Sequence, residues 1–369
     1  MIKITLIVIV LLLVVSTFFV FPPSMGTLPK AETEAGISEK ASIKTDAGDL
    51  NIMLFSKNAD NPVLLVCGGG PGIPQYLLEC MYPSALPEEF TVCYWDYRGT
   101  GLNYSKNVDS SAMTTDRYVK DTVAVTDYLA ERFSCNKIYI MGHSFGTYIA
   151  LKTVQAHPDK YACYLAMSQI TDQKKSEYLA YDYMKACYEE SGNTKMLEQF
   201  GKYDIRNSKD DYENYFFSGI RDKAMHSLGI GTARNMKSVI TGIFLPSLRC
   251  KAYTQAQRIR IWKGKIASNT FPVTSDSHDK FNAFEDVPKV EIPVVFLVGK
   301  YDYTCHFSLQ QKYYEELEAP SKAIYIFENS AHSPIYEEYD TAKRVLEKTK
   351  DIKASIEEIV GQKNHERTV

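Results

Sequence analysis

No two of the eight cysteines are spaced C-x-x-C, so a zinc site has no ligand pair on which to build. Positive charge is not in excess either: 42 Lys and Arg stand against 45 Asp and Glu, a net charge of −3. Non-specific binding to nucleic acid needs a basic field, and no nucleic-acid partner is expected. A glycine run occurs at Gly68-Gly69-Gly70, but no Gly-Lys-Ser/Thr follows it, which excludes a P-loop. Neither a metal nor a cofactor is expected. There is no internal repeat and no low-complexity tract. Charge is missing altogether from one stretch, Ile4 to Phe21, where only Thr5, Ser16 and Thr17 interrupt aliphatics and phenylalanines. Eighteen helical residues rise about 27 Å, close to the hydrocarbon thickness of a bilayer. No Ala-x-Ala cleavage site and no lipid-accepting cysteine follows the segment. Residues 1–21 are therefore expected to be an uncleaved membrane anchor, a cleaved export signal being the alternative. Lys3 precedes the segment, which orients the rest of the chain outside the cytoplasm.

What is present is ordinary for a globular protein: 369 residues, 45% apolar and 24% charged, enough for one large α/β domain with an insertion. Residues 22–36 read as a tether. Two alternating runs, Ile37–Lys44 and Leu50–Ser56, flank Asp46-Ala47-Gly48-Asp49, which predicts an antiparallel hairpin. Then come short, continuously apolar runs: Pro62–Cys67, Phe90–Trp95, Lys137–Met141 and Tyr161–Met167. Helical-period stretches such as Arg117–Phe133 and Phe145–Ala156 alternate with them. Strands buried on both faces and alternating with helices predict a mostly parallel sheet flanked by helices. Residues 171–285 are polar, tyrosine-rich and helical in pattern, and read as a cap inserted over the sheet's carboxyl edge. Strand character returns at Pro293–Val298 and Ala323–Phe327, and a helix is expected from Glu338 to Val360. The organisation is thus a core of 37–170 and 286–369 interrupted by a cap of 171–285. Cys67, Cys93 and Cys163 fall inside the central strands and are expected to be reduced and buried.

Gly142-His143-Ser144-Phe145-Gly146 is a G-x-S-x-G placed where the Lys137–Met141 strand meets a helix. That strand–turn–helix context is what a nucleophile elbow requires. A serine hydroxyl needs a base, and His332, in the loop after the last strand, is the best placed of seven histidines. His143 adjoins Ser144 but is expected to point away from it, and His306 is a rival four residues past Asp302. Asp302, after the penultimate strand, is the expected acid, with Asp172, after the preceding strand, as its competitor. The order Ser…Asp…His is that of α/β-hydrolases. The loop Cys67–Gly72 lets backbone N–H groups approach a substrate oxygen. Gly70, with Gly69, and the amide of Phe145 form the expected oxyanion hole.

Gly69-Gly70-Pro71-Gly72, Trp95-Asp96-Tyr97-Arg98-Gly99-Thr100-Gly101 and Gly142–Gly146 together resemble the proline iminopeptidase branch of the α/β-hydrolase fold family, which carries H-G-G-P-G, D-x-R-G-x-G and G-x-S-x-G. Gly299–Asp302 and Ser330–Ser333 are similar to its acid and histidine loops, and the likeness covers roughly residues 37–170 and 286–345. The resemblance implies a serine hydrolase with Ser144, Asp302 and His332 as nucleophile, acid and base. It also implies release of an N-terminal proline or small apolar residue from a small molecule or short peptide. Asp96 and Arg98 would then brace the loop beneath the elbow. Gly68 stands where the family has histidine, so the oxyanion loop is expected to be less firmly pinned. The acids that hold a substrate's free amine lie in the family's cap, and here Glu177 and Asp172 are the candidates. A carboxylesterase or lipase, and a membrane-tethered binding protein on an inactive hydrolase scaffold, are the other readings.

Overall fold

The computed structural model describes residues 22 and 25–350. Ile4–Phe21 and the expected helix beyond residue 350 lie outside the described residues; residues 339–350 are helical. No helix among the described residues is long and apolar enough to cross a membrane. The predicted hairpin is present as β1 (Ile37–Ile43) and β2 (Leu50–Ser56), paired antiparallel. The apolar runs become β3 (Val63–Cys67), β4 (Thr91–Trp95), β5 (Ile138–His143), β6 (Tyr161–Met167), β7 (Val294–Gly299) and β8 (Lys322–Phe327). One eight-stranded sheet results, in the order β1-β2-β4-β3-β5-β6-β7-β8. All pairings from β4 to β8 are parallel.

Alternate residues of the central strands feed two apolar layers. Leu65, Cys67 and Ile140 pack with Val125, Leu129 and Ile149, while Leu64, Val66 and Met141 pack with Tyr76, Leu77 and Leu346. Burial on both faces is why these strands read as unbroken apolar runs rather than alternating ones. The helices that matter below are α1 (Gln75–Met81), α2 (Thr115–Arg132), α3 (Phe145–Ala156), α4 (Gln173–Glu190), α5 (Thr194–Phe200), α6 (Lys209–Phe216), α7 (Gly219–Ser227), α8 (Gln255–Ser268) and α9 (Phe307–Glu316). The chain between β6 and β7 is helical and holds α4 to α8. Its two ends meet at a bridge between Asp172 and Asn282. The helices α4 to α7 enclose an apolar cluster of their own around Met184, Phe200, Tyr215 and Met225.

The topology decides where chemistry can occur. β3 lies between β4 and β5, so the chain leaves β3 on one side and returns on the other. Their carboxyl ends are in register, Cys67 opposite Gly142. The glycine loop after β3 and the turn after β5 therefore emerge side by side at the switch point of the sheet, where open α/β sheets bind ligands.

Candidate active site

Ser144 is the single residue between β5 and α3, at φ 54° and ψ −123°. A positive φ is costly for serine, and it persists because both flanks are fixed. The Ser144 amide donates to the Met167 carbonyl at 3.0 Å, and its carbonyl accepts from the Thr147 amide at 2.8 Å. Both glycines of the motif are demanded by close approach. A Cβ on Gly146 would fall 1.9 Å from the Cys67 carbonyl oxygen, and one on Gly142 would fall 2.5 Å from Thr147 Cα. Phe145 opens α3, so its N–H has no acceptor within the helix.

His332 follows β8 in a loop held from outside by Glu337, whose Oε1 accepts from the amides of Ala331 (2.9 Å) and Ser333 (3.3 Å). Its Nδ1 lies 3.0 Å from each carboxylate oxygen of Asp302. Asp302 is fully buried and accepts further bonds from the amides of Thr304 (3.0 Å) and Cys305 (2.9 Å) and from Gln310 Nε2 (3.1 Å). Burial alone would raise its pKa. The charge and hydrogen bond of His332, the Cys305 amide and the Ser168 hydroxyl more than offset that, and hold the carboxyl below its ordinary value. Ser144, Phe145, Gly69, Gly70 and His332 all line one cavity of about 290 Å³. The buried Cys305 thiol beside this site is directed at Gln173 Oε1, 3.7 Å away. A larger cavity, of about 540 Å³, shares Leu78 and Thr232 with this one and contains none of the five.

Several sequence expectations need correction. His143, whose ring nitrogens bond groups other than Ser144, also lines the cavity, with Nε2 2.9 Å from the His332 carbonyl oxygen and Nδ1 3.2 Å from Gln75 Oε1. Burial, reinforced by the neighbouring His332, pushes its pKa down to about 3, so it is neutral at ordinary pH. The glycine loop is pinned despite the missing histidine. The Gly69 amide donates to Gln75 Oε1 at 3.4 Å, Tyr97 Oη to the Gly68 carbonyl at 3.0 Å, and Ser268 Oγ to the Pro71 carbonyl at 3.0 Å. Asp96 and Arg98 brace other parts. Asp96 accepts from the Leu102 amide at 2.7 Å, and Arg98 binds Asp121 and the turn of the β1–β2 hairpin. His306 caps α9 through Ser308.

The two acids offered for a substrate amine are also misplaced. Glu177 is fully buried, and Arg221 grips it with Nε on Oε2 at 2.7 Å and Nη2 on Oε1. A buried carboxylate needs such a partner, and that partner leaves no charge for a substrate. Asp172 caps α4, its Oδ1 accepting from the Lys175 amide at 2.9 Å. Neither lines the cavity. The carboxylate that does is Asp222, in the first turn of α7. Lys265 of α8 faces the same space, its Nζ 2.9 Å from Asn269 Oδ1, and burial lowers its pKa to about 8. Gln75, Ser168 and Gln310 complete the buried polar frame. Nothing in the sequence marked them.

The sequence matches the prolyl oligopeptidase family over residues 82–227. It is 34% identical to a probable aminopeptidase of Bacillus subtilis, YbaC, over 309 residues, covering 82% of this chain and 95% of that protein. A proline iminopeptidase of Heyndrickxia coagulans is 22% identical over 80% of this chain and 93% of its own length. The crystal structure of a proline iminopeptidase from Mycobacterium smegmatis superposes with a TM-score of 0.56 at 14% identity, covering 88% of this chain and 98% of that one. With that kinship spanning both halves of the sheet and the cap between them, the chain belongs to the α/β-hydrolases, as an enzyme of their proline iminopeptidase-like branch.

Proposed function

We propose that this enzyme is a serine hydrolase that releases the N-terminal residue of small peptides or amides through an acyl-enzyme. The observation that carries the reading is a buried aspartate clamped on one nitrogen of a histidine whose ring shares a cavity with a serine at a strained strand–helix turn. Asp302 keeps the proton on Nδ1 of His332, so Nε2 is free to accept one. Ser144 Oγ attacks the substrate carbonyl carbon as its proton passes to Nε2. The oxyanion forms against the Phe145 amide and the glycine loop, where Gly69's N–H is turned to Gln75 and that of Gly70 is the better donor. His332 then protonates the departing amine. Water, deprotonated by the same nitrogen, cleaves the acyl-Ser144 ester. The names of the two sequence relatives, an aminopeptidase and a proline iminopeptidase, support a substrate with a free amino end. Asp222 takes the role expected of Glu177. A second reading, an ester hydrolase, is favoured by the apolar and cationic parts of the wall, with Trp262, Phe216 and Lys265.

A fluorophosphonate probe tests the assignment. It should label the wild type and not Ser144→Ala, which should keep its circular dichroism and lose several orders of magnitude in kcat. Labelling that persists at another serine would overturn the nucleophile. Absence of labelling in the wild type would favour a non-catalytic binding protein. The length and lack of charge of Ile4–Phe21 support anchorage with the catalytic part outside the cytoplasm. Full-length protein should remain with membranes after a high-salt wash and be open to external protease in intact cells. A soluble form beginning near Met25 or Lys30 would show a cleaved signal instead.

A further inference from the structure

Two of the eight thiols stand apart from those buried in the sheet. Cys80 is exposed on α1, and Cys250, 170 residues further on, is buried in the cap just before α8. Their sulfurs are 3.1 Å apart, with the Cys250 thiol directed at Cys80 Sγ. Both backbones are held. Glu79 in α1 accepts from the Ser84 amide (2.8 Å) and hydroxyl (2.7 Å), and the buried Arg258 donates to the carbonyls of Cys250 (2.9 Å) and Leu248 (2.7 Å). Bringing the sulfurs to the roughly 2.0 Å of a disulfide closes a gap of about an ångström.

We infer that Cys80 and Cys250 are a built disulfide site, which on oxidation ties the cap to the helix that follows the oxyanion loop. The order of events follows from exposure. Cys80 can be reached from solvent, and the hydrogen bond from Cys250, aided by the charge of Arg258, lowers its pKa below the ordinary thiol value. The Cys80 thiolate attacks one sulfur of an external disulfide, such as oxidised glutathione, and expels one thiol. Cys250 then loses its proton and attacks Cys80 Sγ in the mixed disulfide, expelling the second thiol. The external disulfide is reduced to two thiols as the protein gains one S–S bond. The cross-link matters because of where α1 begins. Gln75, its first residue, touches both the Gly69 amide and His143, so a bond at Cys80 fixes the element that frames the catalytic cavity.

The test treats purified protein with oxidised glutathione, blocks the remaining thiols, and counts and maps them after denaturation. Six free thiols should remain of eight, and non-reducing digestion should yield a Cys80–Cys250 linked peptide. Closing so long a loop should raise the Tm by roughly 5–10 °C over the reduced form, a difference absent from Cys80→Ala. Eight unreacted thiols, a stable glutathione adduct on Cys80 with Cys250 free, or a link to another cysteine would each overturn the inference. The thiol count does not involve Ser144, so a failure here leaves the proposed hydrolysis standing, and the reverse holds as well.

Discussion

Asp302 and Asp172 both follow a strand at the same edge of the sheet, and their burial and hydrogen bonds tell them apart. Asp302 holds His332 through one pair of oxygens and is itself held by two amides and Gln310. In Asp302→Asn the side-chain oxygen can keep the amides, but an N–H then meets Nδ1. The ring must shift its proton to Nε2, the atom that has to accept one from Ser144. A loss of roughly a thousandfold or more in kcat is expected, with little change in stability. Asp172→Asn should leave activity within about twofold, because asparagine caps a helix as well as aspartate does. Steady-state kinetics on the two variants, compared at equal folded concentration, checks this, and the opposite ranking would displace Asp302. At this scale the sequence was legible where position relative to a strand determines where a residue stands, as for Ser144, Asp302 and His332, which follow their strands at one edge of the sheet. It was illegible where the role depends on a partner met only in the fold. Glu177 illustrates the failure: its charge is cancelled by Arg221, 44 residues away, which no local pattern announces.

Continuous apolar runs made the parallel strands readable as elements, and the turn chemistry at Asp46–Asp49 made the hairpin readable. Their order was not readable, because nothing in five buried residues of β3 states that β4 and β5 lie on its two sides. Yet that order creates the elbow's demands. Gly146 is needed because α3 begins directly against the end of β3, a contact between elements far apart in sequence. The same crowding holds Ser144 at positive φ, a conformation serine adopts at a cost of order 1 kcal/mol or more. Ser144→Ala keeps the Cβ and the strain, whereas Ser144→Gly releases both. Glycine at this position should therefore unfold at higher denaturant than alanine by about 1 kcal/mol, although both are inactive. Equal midpoints would mean that the turn carries no strain worth the name. A less stable glycine variant would mean that its unfolded-state entropy outweighs the relief.

At the scale of the molecule, the proposed function divides chemistry, in the core, from selection, in the cap. A serine nucleophile beside a bound histidine would open many acyl bonds, so the proposed preference for a free amine would have to come from charge on the cavity wall. α7 brings Asp222 to that wall, with Oδ1 3.2 Å from His226 Nδ1. His226 Nδ1 lies closer to the Asp222 carbonyl oxygen, at 2.8 Å, which accepts from it, so the Asp222 carboxylate remains available to an ammonium. Its side chain is 37% exposed without substrate, and a bound peptide would displace that water and strengthen the pairing. Unblocked proline or alanine amides should accordingly be cleaved and their N-acetyl forms left intact. Asp222→Asn should raise KM for the unblocked substrates by about tenfold with kcat nearly unchanged, while a neutral ester is hydrolysed as before. Glu177→Gln should instead destabilise the protein, because Arg221 would be left buried without its counter-charge. If blocked and unblocked substrates turn over equally in the wild type, the amine is not read at all and the ester-hydrolase reading prevails. A KM effect confined to Glu177→Gln in a protein of unchanged stability would return the amine site to the buried pair and away from Asp222.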